Sequence, residues 1–216
     1  MRSLRFAVGL SKWLVACSSA FGSALAPAGP VQCGDQPIRL ALYENGSFYY
    51  SEGGQNQGID KDVVDELMKR SACKFDVKVM TRARIWADLS TGDLDMSVSG
   101  IQNPQRDKFA WFANYLILKN YVVMQSGAAL SAPTAASFLQ QRKLQFGAVR
   151  SFKHGAQQDK LLEDLRAEQR VQDSANAETL FKKLKEGRID ALFSQPPVYR
   201  KYIQDMGLQK DVTVLD

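Results

Sequence analysis

One segment of this sequence occurs twice. Ala87-Asp-Leu-Ser-Thr-Gly92-Asp-Leu-Asp95-Met-Ser-Val-Ser-Gly100 parallels Lys182-Lys-Leu-Lys-Glu-Gly187-Arg-Ile-Asp190-Ala-Leu-Phe-Ser-Gln195. In each, a leucine is followed three positions on by glycine. Then come any residue, Leu or Ile, Asp, and a strand-like run. Glycine suits a left-handed helix stop because it has no Cβ to clash there. The strand that follows delivers polar residues at its C-terminal end, where open α/β sheets bind ligands. Two such units predict two α/β lobes, each presenting strand-end loops. The competing reading is one continuous sheet with a fortuitous match.

The rest of the chain alternates in the same way. Ile38–Leu42 reads as a strand. Ile59, Val63, Val64, Leu67 and Met68 then recur at helical spacing, with Lys69 and Arg70 where a helix C-terminus favours positive charge. Phe75, Val77 and Val79 alternate as a strand. Trp86 and Leu89 mark a short helix that Gly92 closes, and Met96 and Val98 a further strand. Asn103-Pro104 reads as a helix start, a cap followed by proline. Tyr121–Met124 is strand-like, and the Ser-, Ala- and Gly-rich run 125–136 is expected at the junction of the lobes. The second half gives a strand at Phe146–Val149 and helices at Asp159–Arg166, Thr179–Lys185 and Val198–Met206. Further strands are read at Ile189–Phe193 and Val212–Leu215. Strands alternating with helices imply a parallel sheet with helices on its faces. The expected organisation is a leader over 1–28, a first lobe over 29–124 and a second over 125–216.

The leader is read from Arg2, Arg5 and Lys12, followed by the apolar run Trp13–Ala26, with no acidic residue before Asp35. That run is shorter than the roughly 20 apolar residues that span a bilayer, and small residues close it, as in a secretory signal. The cleavage triplets Ala24-Leu25-Ala26 and Ala26-Pro27-Ala28 both fit. The second is preferred, because the first leaves Pro27 just after the cut bond. Leu14-Val15-Ala16-Cys17 resembles a lipoprotein box, but Lys12 sits too close to Cys17 for a proper apolar stretch. Loss of residues 1–28 takes Arg2, Arg5 and Lys12 away and lowers the formal charge from +5 to +2. The remainder mixes both signs and does not point to nucleic acid. Cys33 and Cys73 remain, each just before a strand-like run. An even pair in an oxidising compartment suggests a disulfide if the two strands are parallel neighbours; otherwise they are unrelated buried thiols.

Together these segments resemble the bacterial extracellular solute-binding proteins of the amino-acid type, family 3, over nearly all of the chain after the leader. The most specific part is Gly92-Asp-Leu-Asp-Met-Ser-Val-Ser-Gly-Ile-Gln-Asn-Pro-Gln-Arg106, then Phe109-Ala-Trp-Phe-Ala-Asn-Tyr115. The family pattern there is Gly-x-x-Asp, a strand, a small polar turn, Thr-Pro-Glu-Arg and an aromatic-rich run. Gln57-Gly-Ile-Asp60-Lys-Asp matches the family's Gly-Phe-Asp-x-Asp, and Gly187-Arg-Ile-Asp190-Ala is the second-lobe counterpart. The resemblance implies a type II periplasmic-binding-protein-like fold, two parallel-sheet lobes with helices on both faces. It implies a monomer in the periplasm that captures a small polar solute for an ABC transporter permease at the inner membrane, without cofactor or metal.

The resemblance also implies a site between the lobes. Arg106 matches the arginine that grips a ligand carboxylate, a task suited to a planar guanidinium. Ser99 and Gly100 occupy the assisting turn. Ser151 and Phe152 match the anion-binding loop of the second lobe, where a helix N-terminus offers free N–H groups. Tyr43, Glu44 and Tyr49 match positions that shape the side-chain pocket, and Arg84 and Trp86 are weaker candidates. Trp111 and Tyr115 are expected to pack. Three departures stand out. Ser194-Gln195 replaces the usual aspartate, so a neutral amide stands where a ligand ammonium is paired, leaving Glu44 as the acid able to do so. Asp95 to Arg106 is one residue shorter than the family norm. The family's return crossing to the first lobe is absent before Asp216. Two alternatives remain: a dehydratase-like enzyme on the same fold acting on a cyclic carboxylic acid, with His154 as its base, and a receptor's ligand-binding domain.

Overall fold

The structure, a computed structural model, describes residues 31–216 apart from 129, 131 and 133. The leader expected over 1–28 lies outside the described residues. The first sheet contains β1 (Ile38–Leu42), β4 (Phe75–Val79) and β5 (Met96–Ser97) in the order β4-β1-β5, with both pairings parallel. Between β1 and β4 lie the hairpin β2 (Tyr50–Glu52) and β3 (Gln55–Gln57) and the helix α1 (Ile59–Ser71). The hairpin turns on Gly53 and Gly54, both at positive φ, as its tight reversal requires. Helix α2 (Arg82–Thr91) joins β4 to β5 and ends on Gly92 at φ 80°.

Alternation along β1 explains the layering. Leu40 and Leu42 are buried with Val64 of α1, whereas Ala41 and Tyr43 are buried with Ile85 of α2. Each such fully buried aliphatic side chain stabilises the fold by about 1.5–3 kcal/mol. Ile38 is paired with Phe75, so the starts of β1 and β4 are neighbours. Cys33 and Cys73 are bonded there, with Cα atoms 5.4 Å apart.

The second sheet runs β10-β6-β9-β7-β8. Its strands are β6 (Tyr121–Gln125), β7 (Phe146–Val149), β8 (Val171–Ser174), β9 (Ala191–Ser194) and β10 (Val212–Leu215). β7 is parallel to β8 and β9, as expected of helical crossovers, while β6 is antiparallel to both β9 and β10. The sheet is therefore mixed. Helices α3 (Ala135–Gln140) and α4 (Ala156–Ala167) share one core with Phe146 and Phe193. Helices α5 (Ala177–Lys185) and α6 (Pro196–Met206) share the other with Val123 and Leu192.

Several sequence expectations shift. Tyr121–Gln125 pairs in the second sheet, so the change of sheet precedes the run 125–136. Asn103-Pro104 opens a single 3₁₀ turn, Arg106–Lys108, and not a helix. The Asn103 side chain accepts from the N–H groups of Gln105 and Arg106. The irregular chain beyond it does not continue the turn. Trp111 is fully exposed and does not pack.

Candidate functional site

The repeated unit has the same mechanical role in both lobes. Asp95 Oδ2 accepts from the backbone N–H of Arg39 on β1 at 2.9 Å. Asp190 Oδ2 accepts from the N–H of Gln145, just before β7, at 2.6 Å. Each carboxylate fixes the start of the neighbouring strand, so each strand's far end projects loops at one edge of its sheet. Arg39 adds a two-pronged bond to Asp95, at 2.9 and 2.6 Å, and holds that carboxyl down to about 2.

The loops meet in two clefts. One, of about 290 Å³, is lined by Tyr43 and Glu44 after β1, Thr81 and Arg82 after β4, Phe152 after β7 and Asn176 after β8. The other, of about 400 Å³, is lined by Ser99, Gly100 and Gln102 after β5, by Tyr115, and by His154 and Gln195 from the second lobe. All the parallel strands thus deliver their C-terminal ends to one region, as ligand sites in such sheets require. A third hollow, of about 220 Å³, lies against Phe138, Phe146 and Phe193 of the second lobe and shares Asn120 with the second cleft.

Between the two clefts the lobes are tied. Arg106 is buried, 6% exposed, and its guanidinium lies 3.6 Å from the centre of the Trp86 ring. Its Nη1 donates to Ile101 O at 2.6 Å and its Nη2 to Ser151 O at 2.7 Å. Burial, with Arg82 nearby, lowers the guanidinium to about 10, so it stays charged at neutral pH. Arg82 is 3% exposed and lies between two rings, 4.6 Å from Tyr43 and 4.3 Å from Phe152. One of its nitrogens donates to Ser99 O at 3.1 Å, and among the described residues its buried Nε has no partner. Among the described residues neither arginine forms an ion pair.

Behind the turn sits a polar knot. The carboxylate of Asp60, fully buried, accepts from Ser99 Oγ and from Tyr115 OH, each at 2.8 Å, and Tyr115 OH accepts from the Ser99 N–H at 2.7 Å. Burial raises the Asp60 and Tyr115 pKa values. Gly58 leaves no room for a side chain: a Cβ there would stand 2.3 Å from Phe48 O. That close approach lets the Asp60 N–H donate to Phe48 O and fixes the helix start.

The residues singled out from the sequence divide. Tyr43, Glu44 and Phe152 line the first cleft, and Ser99, Gly100 and Gln195 the second. Ser151 meets Arg106 through its carbonyl, and its own φ is 60°. Arg106 lines neither cleft. Tyr49 is buried in the core with Leu40 and Val64 and does not reach them. Arg84 is exposed on α2 and paired with Asp88 at 2.7 Å. Trp86 is the platform under Arg106. The His154 ring is tilted against that of Phe152, with centroids 4.6 Å apart; its Nδ1 lies 3.4 Å from Asn120 Oδ1, and its backbone carbonyl accepts from Asn120 Nδ2 at 2.7 Å. Burial, then the charges of Arg82 and Lys153, push it down to about 3. Such an imidazole is uncharged at neutral pH and is a weak base. Arg82, Asn120 and Asn176 were not marked in the sequence. The usable signal for Arg82 was its place just after the C-terminal end of a strand.

The sequence matches the family described as bacterial extracellular solute-binding proteins, family 3, over residues 41–168. No curated protein sequence matches the chain significantly. Among solved structures, it is similar to the arginine-, lysine-, histidine-binding protein ArtJ from the thermophilic bacterium Geobacillus stearothermophilus. The TM-score is 0.69 and the identity 18%, over 84% of this chain and 76% of that one. An ancestral arginine-binding protein bound to arginine gives 0.68 and 19%, over 83% and 78%. An ancestral amino-acid-binding protein described as a precursor of cyclohexadienyl dehydratase gives 0.64 and 21%, over 83% and 77%. These likenesses establish the fold.

Proposed function

Because the chain belongs to the bacterial extracellular solute-binding proteins, family 3, we propose that it is exported to the periplasm and there captures an amino acid or similar small polar carboxylate. It delivers that solute to an ABC transporter permease and acts as a monomer without cofactor. The observation that carries this reading is the meeting of strand ends from both sheets at clefts that flank Arg106, whose guanidinium reaches from the first sheet's loops to Ser151 O. A solute in such a place touches both lobes and so stabilises their closed arrangement. Arg106 serves by holding the Ser151 loop, and the cleft-lining groups Tyr43, Glu44, Ser99, Gly100, Phe152 and Gln195 touch the solute.

The reading favours binding over proton transfer, since His154 is held neutral and, among the described residues, no carboxylate is bonded to its ring. Thermal-shift screening over amino acids, carboxylates and their derivatives tests it. At a hundred times its dissociation constant, a solute adds about 2.7 kcal/mol, which is about 5–10 °C for a chain of this size. Arg106→Lys, which cannot bridge both carbonyls, should reduce that gain. A screen in which no solute raises the melting temperature contradicts the proposal.

A further inference from the structure

We propose that Arg82 is the anion-gripping residue of the 290 Å³ cleft, and that its ligand is an organic anion of net negative charge, such as a 2-oxo acid, and not a zwitterionic amino acid. This deepens the solute-binding reading and rests on it. The first ground is an unfilled valence. Arg82 lines the cleft, is 3% exposed, is hydrogen-bonded to Ser99 O and to Tyr43, and among the described residues keeps Nε buried with no partner. A buried cation left in that condition is costly unless an anion completes it. Arg106 is differently placed, because both its terminal nitrogens are already engaged by carbonyls.

The second ground is the charge surrounding it. Two guanidiniums, Arg82 and Arg106, are buried where the lobes meet, and neither is ion-paired among the described residues. Asp60 acts on Arg82 electrostatically, but its oxygens are occupied by Ser99 Oγ and Tyr115 OH. Asp159 acts on Arg106 but is bonded to the His154 N–H. Glu44, the acid of the cleft lining, is exposed, so its charge is screened by water. Gln195 contributes no charge. Among the described residues neither Asp60 nor Asp159 pairs directly with a guanidinium, and the cleft lining holds no buried acid to pair with a ligand ammonium, so an anion meets Arg82 directly while the ammonium of a zwitterion finds only the water-screened Glu44.

The third ground is the shape of the pocket. The guanidinium plane is fixed between the Tyr43 ring of the first lobe and the Phe152 ring of the second. The same cleft contains Asn176 and Ala177, the start of α5, where backbone N–H groups favour negative charge. Val79, Met80 and Val149 supply apolar wall for an organic body.

Matched pairs decide the matter, each an amino acid and the 2-oxo acid that replaces its ammonium by a carbonyl oxygen: alanine and pyruvate, leucine and 4-methyl-2-oxopentanoate, phenylalanine and phenylpyruvate. Calorimetric titration of the native chain should show at least one oxo acid binding about tenfold or more tighter than its partner. Arg82→Gln should weaken that oxo acid by about tenfold or more, while Arg82→Lys keeps the preference for anions. If Arg82→Gln does not fold, the Arg82→Lys titration and the native pairs still decide. Equal or tighter binding of the amino acids overturns the anion assignment and leaves the solute-binding reading standing. Failure of every pair also overturns it, and the wider thermal-shift screen then shows whether that reading falls too.

Discussion

The two copies of the repeated unit begin alike and end differently. In both, a leucine of the helix packs inward, a glycine at positive φ stops the helix, and an aspartate fixes the neighbouring strand through a backbone N–H. Beyond the strand they part. The first copy ends on Ser99, whose N–H, hydroxyl and carbonyl are all engaged, with Tyr115, Asp60 and Arg82. The second ends on Ser194, whose buried hydroxyl has no partner among the described residues, and on Gln195 at the cleft wall. The shared part builds the scaffold. The divergent ends set the chemistry, closed on one side of the cleft and open on the other.

The largest expected effect separates the helices of the two copies. Leu184 is 1% exposed, whereas its counterpart Leu89 is half-buried. Leu184→Ala should cost about 3–5 kcal/mol and Leu89→Ala about 1–2, read by urea unfolding. Equal costs would show that the second core is no better filled than the first. Next comes the bridge between Cys33 and Cys73, which closes a separation of 40 residues in the first lobe. Its reduction should cost about 2–4 kcal/mol, and a variant with serine at both positions should show no response to reductant.

The lobes should also separate on an acid titration. His154 sits near 3 against an ordinary 6.5, so between those values the unfolded chain binds a proton that the folded chain refuses. Stability is full above pH 6.5 and falls below it, by up to about 1.4 kcal/mol per pH unit. Asp95, held to about 2 against 3.8, contributes stability that is present above 3.8 and lost as pH falls toward 2. His154→Asn should flatten the upper part of the stability profile and Asp95→Asn the lower. Smallest is the direct comparison of the two aspartates. Asp190→Ala should cost about 1–3 kcal/mol, because it leaves the Gln145 N–H unpaired. Asp95→Ala, at an exposed ion pair, should cost about 1 or less.

Much of this scaffold was legible. The helix stop at Gly92, the β1–β4 neighbourhood and the cysteine pair follow from short-range signals that the tertiary structure does not override. What escaped depends on contacts made at a distance. β8 has only Val171 as a clear strand former, and its place is set by pairing with β7. The Asn103 cap satisfies one turn, and the chain beyond it runs irregularly. Tyr121–Gln125 is a strand in either lobe as far as its residues tell; its partner β9 decides. Arg82 looks like a solvated helix-start charge beside Arg84, and only the rings of Tyr43 and Phe152 bury it. The aspartates of the repeat hold strands, a role visible only once Arg39 and Gln145 are seen beside them.

The claim that a solute is held between the lobes is tested most directly by amide hydrogen exchange with and without the most stabilising carboxylate of the screen. The account predicts slowed exchange on both sides at once, around Ser99–Gln102 in the first lobe and Phe152–Gly155 in the second. Protection confined to one lobe, or exchange unchanged by any solute, would contradict it.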